Sequence, residues 1–366
     1  MSIVVFNAGS STLKFGLYDA GANTAIASGV IESTEQKNSV AEAMRQLAGP
    51  MRDEPITVAG HRIVHGGSQF QESVRIDAEV KAGIAKLTEL APLHNPPALE
   101  ALKLAEEALP GVPHVAVFDT AFFSRLPPVA CIYPLPYEWY LQWGVRRFGF
   151  HGISHSYCAD RASQMLGRNP HLVICHLGNG CSASAVKDGK AIATTMGFTP
   201  MEGLMMGTRA GSVDPGLLLY LQRHRGLTVE QLDQALNMDS GLLGVSGVSS
   251  DYREVEAAAR QGNGRARLAL EMFADRVRST IGALTATLGG IDALIFTAGI
   301  GEHSSSLRAA ACAGLDCLGV RLDSDRNAAC KADADIAAQD SHSRILVIHT
   351  REELLIAREA LRLVSG

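Results

Sequence analysis

The sequence predicts an α/β protein of two domains, and three observations carry that prediction. At 366 residues the chain exceeds what one hydrophobic core usually serves. Strand-like apolar runs alternate with segments of helical period along its length. A strand, a bend of small polar residues and a second alternating strand open the chain, and the same sequence grammar returns near its middle.

Residues 2–18 read as two strands. In "VVFNAGSSTLKFGLYD" an apolar run meets Asn-Ala-Gly-Ser-Ser-Thr, after which Leu13, Phe15 and Leu17 alternate with Lys14, Gly16 and Tyr18. Residues 20–55 read as a variable stretch with one helix near 40–47. Strand signals return at 56–63 and 114–118, with a helix at 97–109 between them. The prolines at 127, 128, 134 and 136 and the aromatic run 137–140 mark a domain crossing. A second strand pair, "HLVICHLGNGCSASAVKDGK", spans 171–190, and both pairs close on an Asp-x-Gly or Asp-Gly turn, at Asp19 and Asp188. The stretch 268–288 reads as a long amphipathic helix, and "DALIFTAGIGEHSSSLR" as a strand, a glycine turn and a helix start.

Composition narrows the task. The chain is 46% apolar and 19% charged with a net charge of −5, which argues against nucleic acid or an anionic membrane as partner, because both reward a strongly basic face. No apolar run is long enough to span a bilayer, and the opening segment has neither a charged leader nor a cleavage site, so a cytoplasmic protein is expected. Its seven cysteines form no CxxC pair or metal-like cluster and read as reduced, mostly buried thiols.

The chemistry-bearing residues lie in the glycine-rich bends. A Gly/Ser bend after a buried strand aims several backbone N–H groups at one point, as an anionic phosphate requires. Gly9 to Thr12, with Lys14 nearby as a point charge, fit this, and Gly178, Asn179 and Gly180 form a second such loop. Two phosphate loops on two related halves suggest a nucleotide in a cleft between domains. Neither a Walker sequence nor the kinase HRD and DFG pair is present, which excludes those scaffolds. "FTAGIGEHSS", 296–305, lacks the third glycine of a dinucleotide fingerprint and suits a nucleoside-binding turn.

Cationic residues gather in "GHRIVHGG" (His61, Arg62, His65), "PLHNPP" (His94), "FGFHGISH" (His151, His155) and "EGLMMGTRAGSVDP" (Arg209). Two HxxxH spacings, 61–65 and 151–155, resemble helical metal pairs, but Gly152, the β-branched Ile63 and Val64, and the lack of a carboxylate motif argue against zinc. Phosphoryl transfer asks mainly for positioning and cationic stabilisation, and a well-placed arginine is worth about 10³ to 10⁵ in rate. Arg62 and Arg209 suit that role, since a guanidinium binds carboxylate or phosphate in a planar fork. "VFDTAFF" places Asp119 at the C-terminal end of a buried strand, where open α/β sheets carry chemistry.

Taken together, "NAGSSTLKF", "HRIVHGG", "LAPLHNPPAL", "VFDTAFF", "RRFGFHGISH", "HLGNGCS", "MGFTPMEGLMMGTRAG", "TAGIGEHS" and "REELLIAR" resemble the acetate kinase family, within the actin, sugar kinase and Hsp70 superfamily. The match runs in order from residue 3 to about residue 360. The resemblance implies a duplicated ribonuclease-H-like core with an interdomain cleft, a homodimer, and ATP/ADP as substrate with Mg²⁺, for which Mn²⁺ can substitute. It divides the chain into an acyl and phosphate domain, 1–120 plus 353–366, and a nucleotide-binding and dimerisation domain, 121–352.

Carried over by position, the resemblance makes Asn7 and Glu352 the metal-site residues, with Lys14 near the phosphates. Arg62 and Arg209 hold the acyl substrate and its phosphoryl group, His151 stabilises the transferring phosphoryl, and Asp119 is the catalytic acidic residue near the attacking carboxylate. Val64, Leu93, Phe150 and Pro200 match the small apolar pocket for the acyl methyl group. His176, Leu177, Gly178, Asn179 and Gly180 line the nucleotide, as do Asp251, Tyr252 and Arg253, and Gly299, Ile300, Gly301, Glu302 and His303. Family members usually carry Asn where this chain has His303 and Arg351 and often Ser where it has Thr12, and the stretch near 20–60 is shorter here. The activity implied is reversible phosphoryl transfer between ATP and acetate, giving acetyl phosphate and ADP. The nearest alternative is propionate or another short-chain acyl kinase. A noncatalytic nucleotide switch on the same core is the alternative from another class.

Overall fold

The computed structural model describes residues 2–9, 12–32, 36–52, 55–92 and 94–365. The chain divides into two compact units, Met1–Arg125 with Phe150–Tyr157 and Arg351–Gly366, and Leu126–Gly149 with Cys158–Thr350. The first unit thus takes in 121–125 and 150–157, beyond the boundary expected at 120.

The first unit holds a sheet of β1 (Ser2–Ala8), β2 (Thr12–Asp19), β3 (Ala25–Glu32), β4 (Ile56–Ile63), β5 (Val74–Arg75) and β6 (His114–Phe118), in the order β3-β2-β1-β4-β6-β5. β1, β2 and β3 form an antiparallel meander, and β1, β4 and β6 run parallel. Alternation along β1 sorts its side chains to two faces. Val4, Phe6 and Ala8 join a core with Phe15, Leu17, Val40, Leu47, Ala101 and Ala105, which brings the helices Gln36–Leu47 and Asn95–Ala108 onto that face. Ile3, Val5 and Asn7 point the other way. The helix Glu352–Ser365 packs against β1, β4 and β6, and Gly60 permits this, since a Cβ there would lie 2.7 Å from Ile356.

The second unit repeats the plan. Its strands are β7 (Leu172–Leu177), β8 (Cys181–Lys187), β9 (Lys190–Thr194), β10 (Ala293–Thr297), β11 (Ala334–Asp335) and β12 (Arg344–Val347), in the order β11-β12-β10-β7-β8-β9. From the far edge this is again an antiparallel meander, two parallel strands and a short antiparallel edge strand. The repeat seen in two hairpins therefore extends through six strands of each sheet, and the class is α/β as expected. The Asp188-Gly189 turn has both residues at positive φ, 51° and 72°, which matches the twist of a two-residue hairpin. The long helix Gly264–Leu288 starts at Asn263, whose side chain accepts from the Ala266 N–H, and stops at Gly289 in the left-handed region.

Several elements depart from the expectation. The variable stretch contains β3, an edge strand whose residues "AIASGVIE" are nowhere fully buried and which carries Ile26 and Val30 on its exposed positions, so its apolar alternation is faint. Its Gly29 faces Phe15 in register, and a Cβ there would sit 2.6 Å from the ring. β9 and the helix Ala78–Lys86 were likewise not anticipated. The glycine turn after β10 is a short helix, Ala298–His303. The Glu302 carboxylate accepts from the Ala298 N–H at 2.9 Å, which supplies a partner for the first turn and offsets the two glycines.

Candidate functional site

In the first unit, three parallel strands deliver polar side chains to the C-terminal edge of the sheet, and one helix start meets them there. Asn7 is near the end of β1, Arg62 near the end of β4, and Asp119 directly after β6. Arg62 donates from Nε and Nη2 to the same Asp119 oxygen, Oδ2, at 3.0 and 2.5 Å, and from Nη1 to Asn7 Oδ1 at 3.3 Å. The Asn7 amide then donates to Glu352 Oε2 at 3.1 Å and Glu353 Oε1 at 2.9 Å. Burial alone lowers the pKa of the Arg62 guanidinium, but Asp119, Glu352 and Glu353 outweigh it and the net shift is upward. Burial pushes the Asp119 carboxyl above its ordinary range, and Arg62 limits the rise. Lys14 pairs with Asn7 across β1 and β2 and so shares its face, with its side chain exposed.

Gly152, the residue after His151, meets Asp119 through the backbone. The Gly152 N–H donates to the Asp119 carbonyl at 3.0 Å, and a Cβ at 152 would lie 2.1 Å from that oxygen, so only glycine fits. The Ile153 N–H also bonds the Asp119 carboxylate. His151 sits at φ 58°, in the left-handed region that few residues other than glycine adopt, though histidine does so more readily than most.

Asn7 and Glu352 offer hard oxygen donors side by side. Mg²⁺ takes one or two protein carboxylates and fills its octahedron with water and phosphate oxygens, so this donor set fits it. Among the described residues no group of three or more His, Cys, Asp or Glu is arranged to hold a metal by itself. The HxxxH spacings do not make paired ligands. His61 lies in extended β4, buried, stacked on Phe6 and 2.8 Å from His114, while His155 packs edge-on to Phe123.

The second unit contains a cavity of about 640 Å³. It gathers Gly178 and Asn179 from the bend after β7, Asp251, Tyr252 and Arg253 from the start of the helix Tyr252–Arg260, and Gly299, Ile300 and His303 from the short helix after β10. Ser250, Glu256 and Ser304 also line it and were not singled out from sequence, where isolated polar residues in or beside a helix carry no distinguishing signal. His176, Leu177, Gly180, Gly301 and Glu302 do not line it. Leu177 is fully buried in β7, and the Glu302 carboxylate turns inward to His349 Nδ1 at 2.6 Å and the Thr350 N–H. Asp251 caps its helix and pairs with Arg253 at 2.5 Å, which holds its carboxyl below the ordinary range.

Arg209 also belongs to the second unit. It sits in a long irregular loop after β9 and donates from Nη1 to the Pro200 carbonyl, and burial lowers its pKa. Val64 and Phe150 are buried in the first unit, with Phe150 edge-on to His65 at 5.4 Å. Leu93 lies outside the described residues, as do Ser10 and Ser11 of the first bend. Five of the seven cysteines are buried. No helix among the described residues is long and apolar enough to cross a membrane.

Comparison with known proteins agrees with this fold. The model of the acetokinase family matches residues 35–358. An acetate kinase from a Cyanothece species is 56% identical over 318 residues, covering 86% of this chain and 78% of that protein. The crystal structure of Porphyromonas gingivalis acetate kinase superposes with a TM-score of 0.91 at 37% identity, over 99% of both chains. A propionate kinase from Francisella tularensis superposes at 0.93 with 36% identity, again over 99% of both. Two duplicated sheets of this order, bearing these residues at their edges, are the actin and sugar kinase type of fold, and the chain belongs to the acetokinase family.

Proposed function

We propose that this chain is an acetate kinase, which transfers the γ-phosphoryl group of ATP reversibly to acetate and yields acetyl phosphate and ADP. The observation that carries the reading is the Arg62–Asp119–Asn7–Glu352 cluster at the edge of three parallel strands, in a chain of this family. An acetate oxygen attacks the γ-phosphorus and the bond to the bridging oxygen of ADP breaks. Total charge is conserved, so the protein need not transfer a proton.

A carboxylate is a weak nucleophile toward a polyanion, and the demand falls on cationic positioning. Arg62, oriented by Asp119, and Arg209 hold the carboxylate and the phosphoryl oxygens, and His151 stabilises the oxygens in transfer. Asp119 is the acidic residue beside the attacking carboxylate. Val64, Leu93, Phe150 and Pro200 bound the methyl group. The 640 Å³ cavity has the size and mixed lining of a small-molecule site, which supports its assignment to the nucleotide. Asn7 and Glu352 would hold Mg²⁺, or Mn²⁺ in its place, which when bound neutralises phosphate charge.

Cytoplasmic location and a homodimer belong to the same reading. Cysteines scattered without a CxxC pair or disulfide-like framework suit a reducing compartment, and the exposed Leu217, Leu219 and Tyr220 of the helix Pro215–Arg225 suit self-association. The likeness to a propionate kinase favours a second reading with the same chemistry and a longer acyl group. Steady-state rates with acetate, propionate and butyrate at matched ATP and Mg²⁺ separate the two, and the proposal expects acetate to have the highest kcat/KM.

A further inference from the structure

The loop that carries Arg209 has almost no regular structure between β9 and the helix Pro215–Arg225, yet it is tied down at one end. Tyr133 and Arg147, from the segment before it, make the ties. The Tyr133 hydroxyl accepts from the Phe198 N–H at 2.9 Å and donates to Glu202 Oε2. Arg147 donates to Glu202 Oε1 at 2.6 Å and to the carbonyls of Thr195 and Met196 at 2.8 and 3.1 Å, and its guanidinium lies over the Tyr133 ring at 5.2 Å. Gly197 is enclosed by this network. A Cβ there would lie 1.9 Å from Glu202 Oε2 and 2.2 Å from the Tyr133 oxygen.

Pro200 stands between the two anchored residues, Phe198 and Glu202, and its carbonyl receives the Arg209 guanidinium. A contiguous chain of hydrogen bonds and covalent links therefore runs from the Tyr133 hydroxyl to the Arg209 side chain. Burial, followed by the bond to Glu202, raises the pKa of the Tyr133 phenol, so the group stays protonated and keeps donating.

We propose that Tyr133 is a positioning residue for Arg209: its hydroxyl, together with Arg147 and Glu202, fixes the Pro200 carbonyl against which the guanidinium is oriented. This rests on the reading of Arg209 as a clamp on the acyl phosphate. Removing the hydroxyl leaves the Phe198 N–H and one Glu202 oxygen without their partner and frees the carbonyl to shift, and misplacing a catalytic group by about 1 Å can cost about 10²-fold in rate.

Tyr133→Phe keeps the ring under Arg147 and tests the hydroxyl alone. It should lower kcat for acetate phosphorylation by about ten- to a hundredfold while the KM for MgATP stays within about twofold. In an Arg209→Ala background the same change should add no further loss, since its target is gone. Independently of activity, phenylglyoxal should modify Arg209 faster in Tyr133→Phe than in the wild type, as read by peptide mass. Wild-type kcat, losses that multiply with those of Arg209→Ala, or an unchanged modification rate would each overturn the proposal. Should Arg209→Ala alone retain full activity, the clamp reading itself fails and the proposal falls with it, and the modification assay distinguishes that case because it reports the Tyr133 tie directly.

Discussion

Arg62 places two of its N–H groups on one oxygen of Asp119, at 3.0 and 2.5 Å, and reaches Asn7 with a third. The guanidinium is thereby held by strand neighbours before any substrate arrives. The arrangement separates the two arginines of the proposed site. Arg62 stands in a buried ion pair, whereas Arg209 is hydrogen-bonded to a backbone carbonyl.

Arg62→Ala and Arg209→Ala should both cut kcat/KM by orders of magnitude, but only the first should cost stability. Breaking a buried pair leaves a charge without its partner and typically costs about 3–5 kcal/mol. Urea unfolding of both variants beside wild type checks this. Equal midpoints for the two variants would mean that the Arg62–Asp119 pair is not a structural tie.

How much of this was legible in the sequence depends on how locally each feature is encoded. The hairpins announce themselves because a bend of Gly, Asn and Ser between apolar runs has few other uses, and Asp119 because "VFDTAFF" ends a strand abruptly. β3 is faint because its exposed positions carry Ile26 and Val30, which blurs the contrast between its faces, and the pairing of Gly29 with Phe15 is a tertiary fact. Gly299 and Gly301 read as breakers, yet Glu302 caps the first turn and the segment winds as a helix. The Tyr133–Glu202–Arg147 network joins residues up to 69 positions apart, beyond any short motif.

Glu352→Ala should raise the Mg²⁺ requirement sharply. Glu352 Oε2 lies against the Asn7 amide at 3.1 Å, and loss of the carboxylate removes the stronger of the two proposed donors. Activity against total Mg²⁺ at fixed ATP should shift to higher concentration in the variant. Superimposed curves would remove Glu352 from the metal site.

Acid should weaken the first unit through His61 and His114. Burial lowers the pKa of both rings, most for His61, so below the unfolded value of about 6.5 the unfolded chain binds protons that the native state refuses. Stability is then full above about pH 7 and falls as pH drops, by up to about 1.4 kcal/mol per unit for each histidine. Urea unfolding at pH 7.5 and 5.5 reads the slope, and His61→Asn should reduce it. A wild-type midpoint that is flat across this range contradicts the prediction.

Val64 offers a test of substrate choice. It is 4% exposed and lies one residue past β4, two positions from Arg62. A β-branched side chain is stiff, and trimming it to alanine leaves room for one more methylene. Val64→Ala should move the kcat/KM ratio toward propionate by about tenfold, the low end of what one methylene contact supplies. An unchanged ratio would place the pocket wall elsewhere.

In the proposed reaction a carboxylate receives the phosphoryl group. Incubating the purified chain with ATP, Mg²⁺ and acetate and following ³¹P signals tests it most directly. An acyl phosphate resonance should grow with ADP in equal amounts and be lost in Arg209→Ala. Release of inorganic phosphate alone, or ADP formation indifferent to acetate, would contradict it.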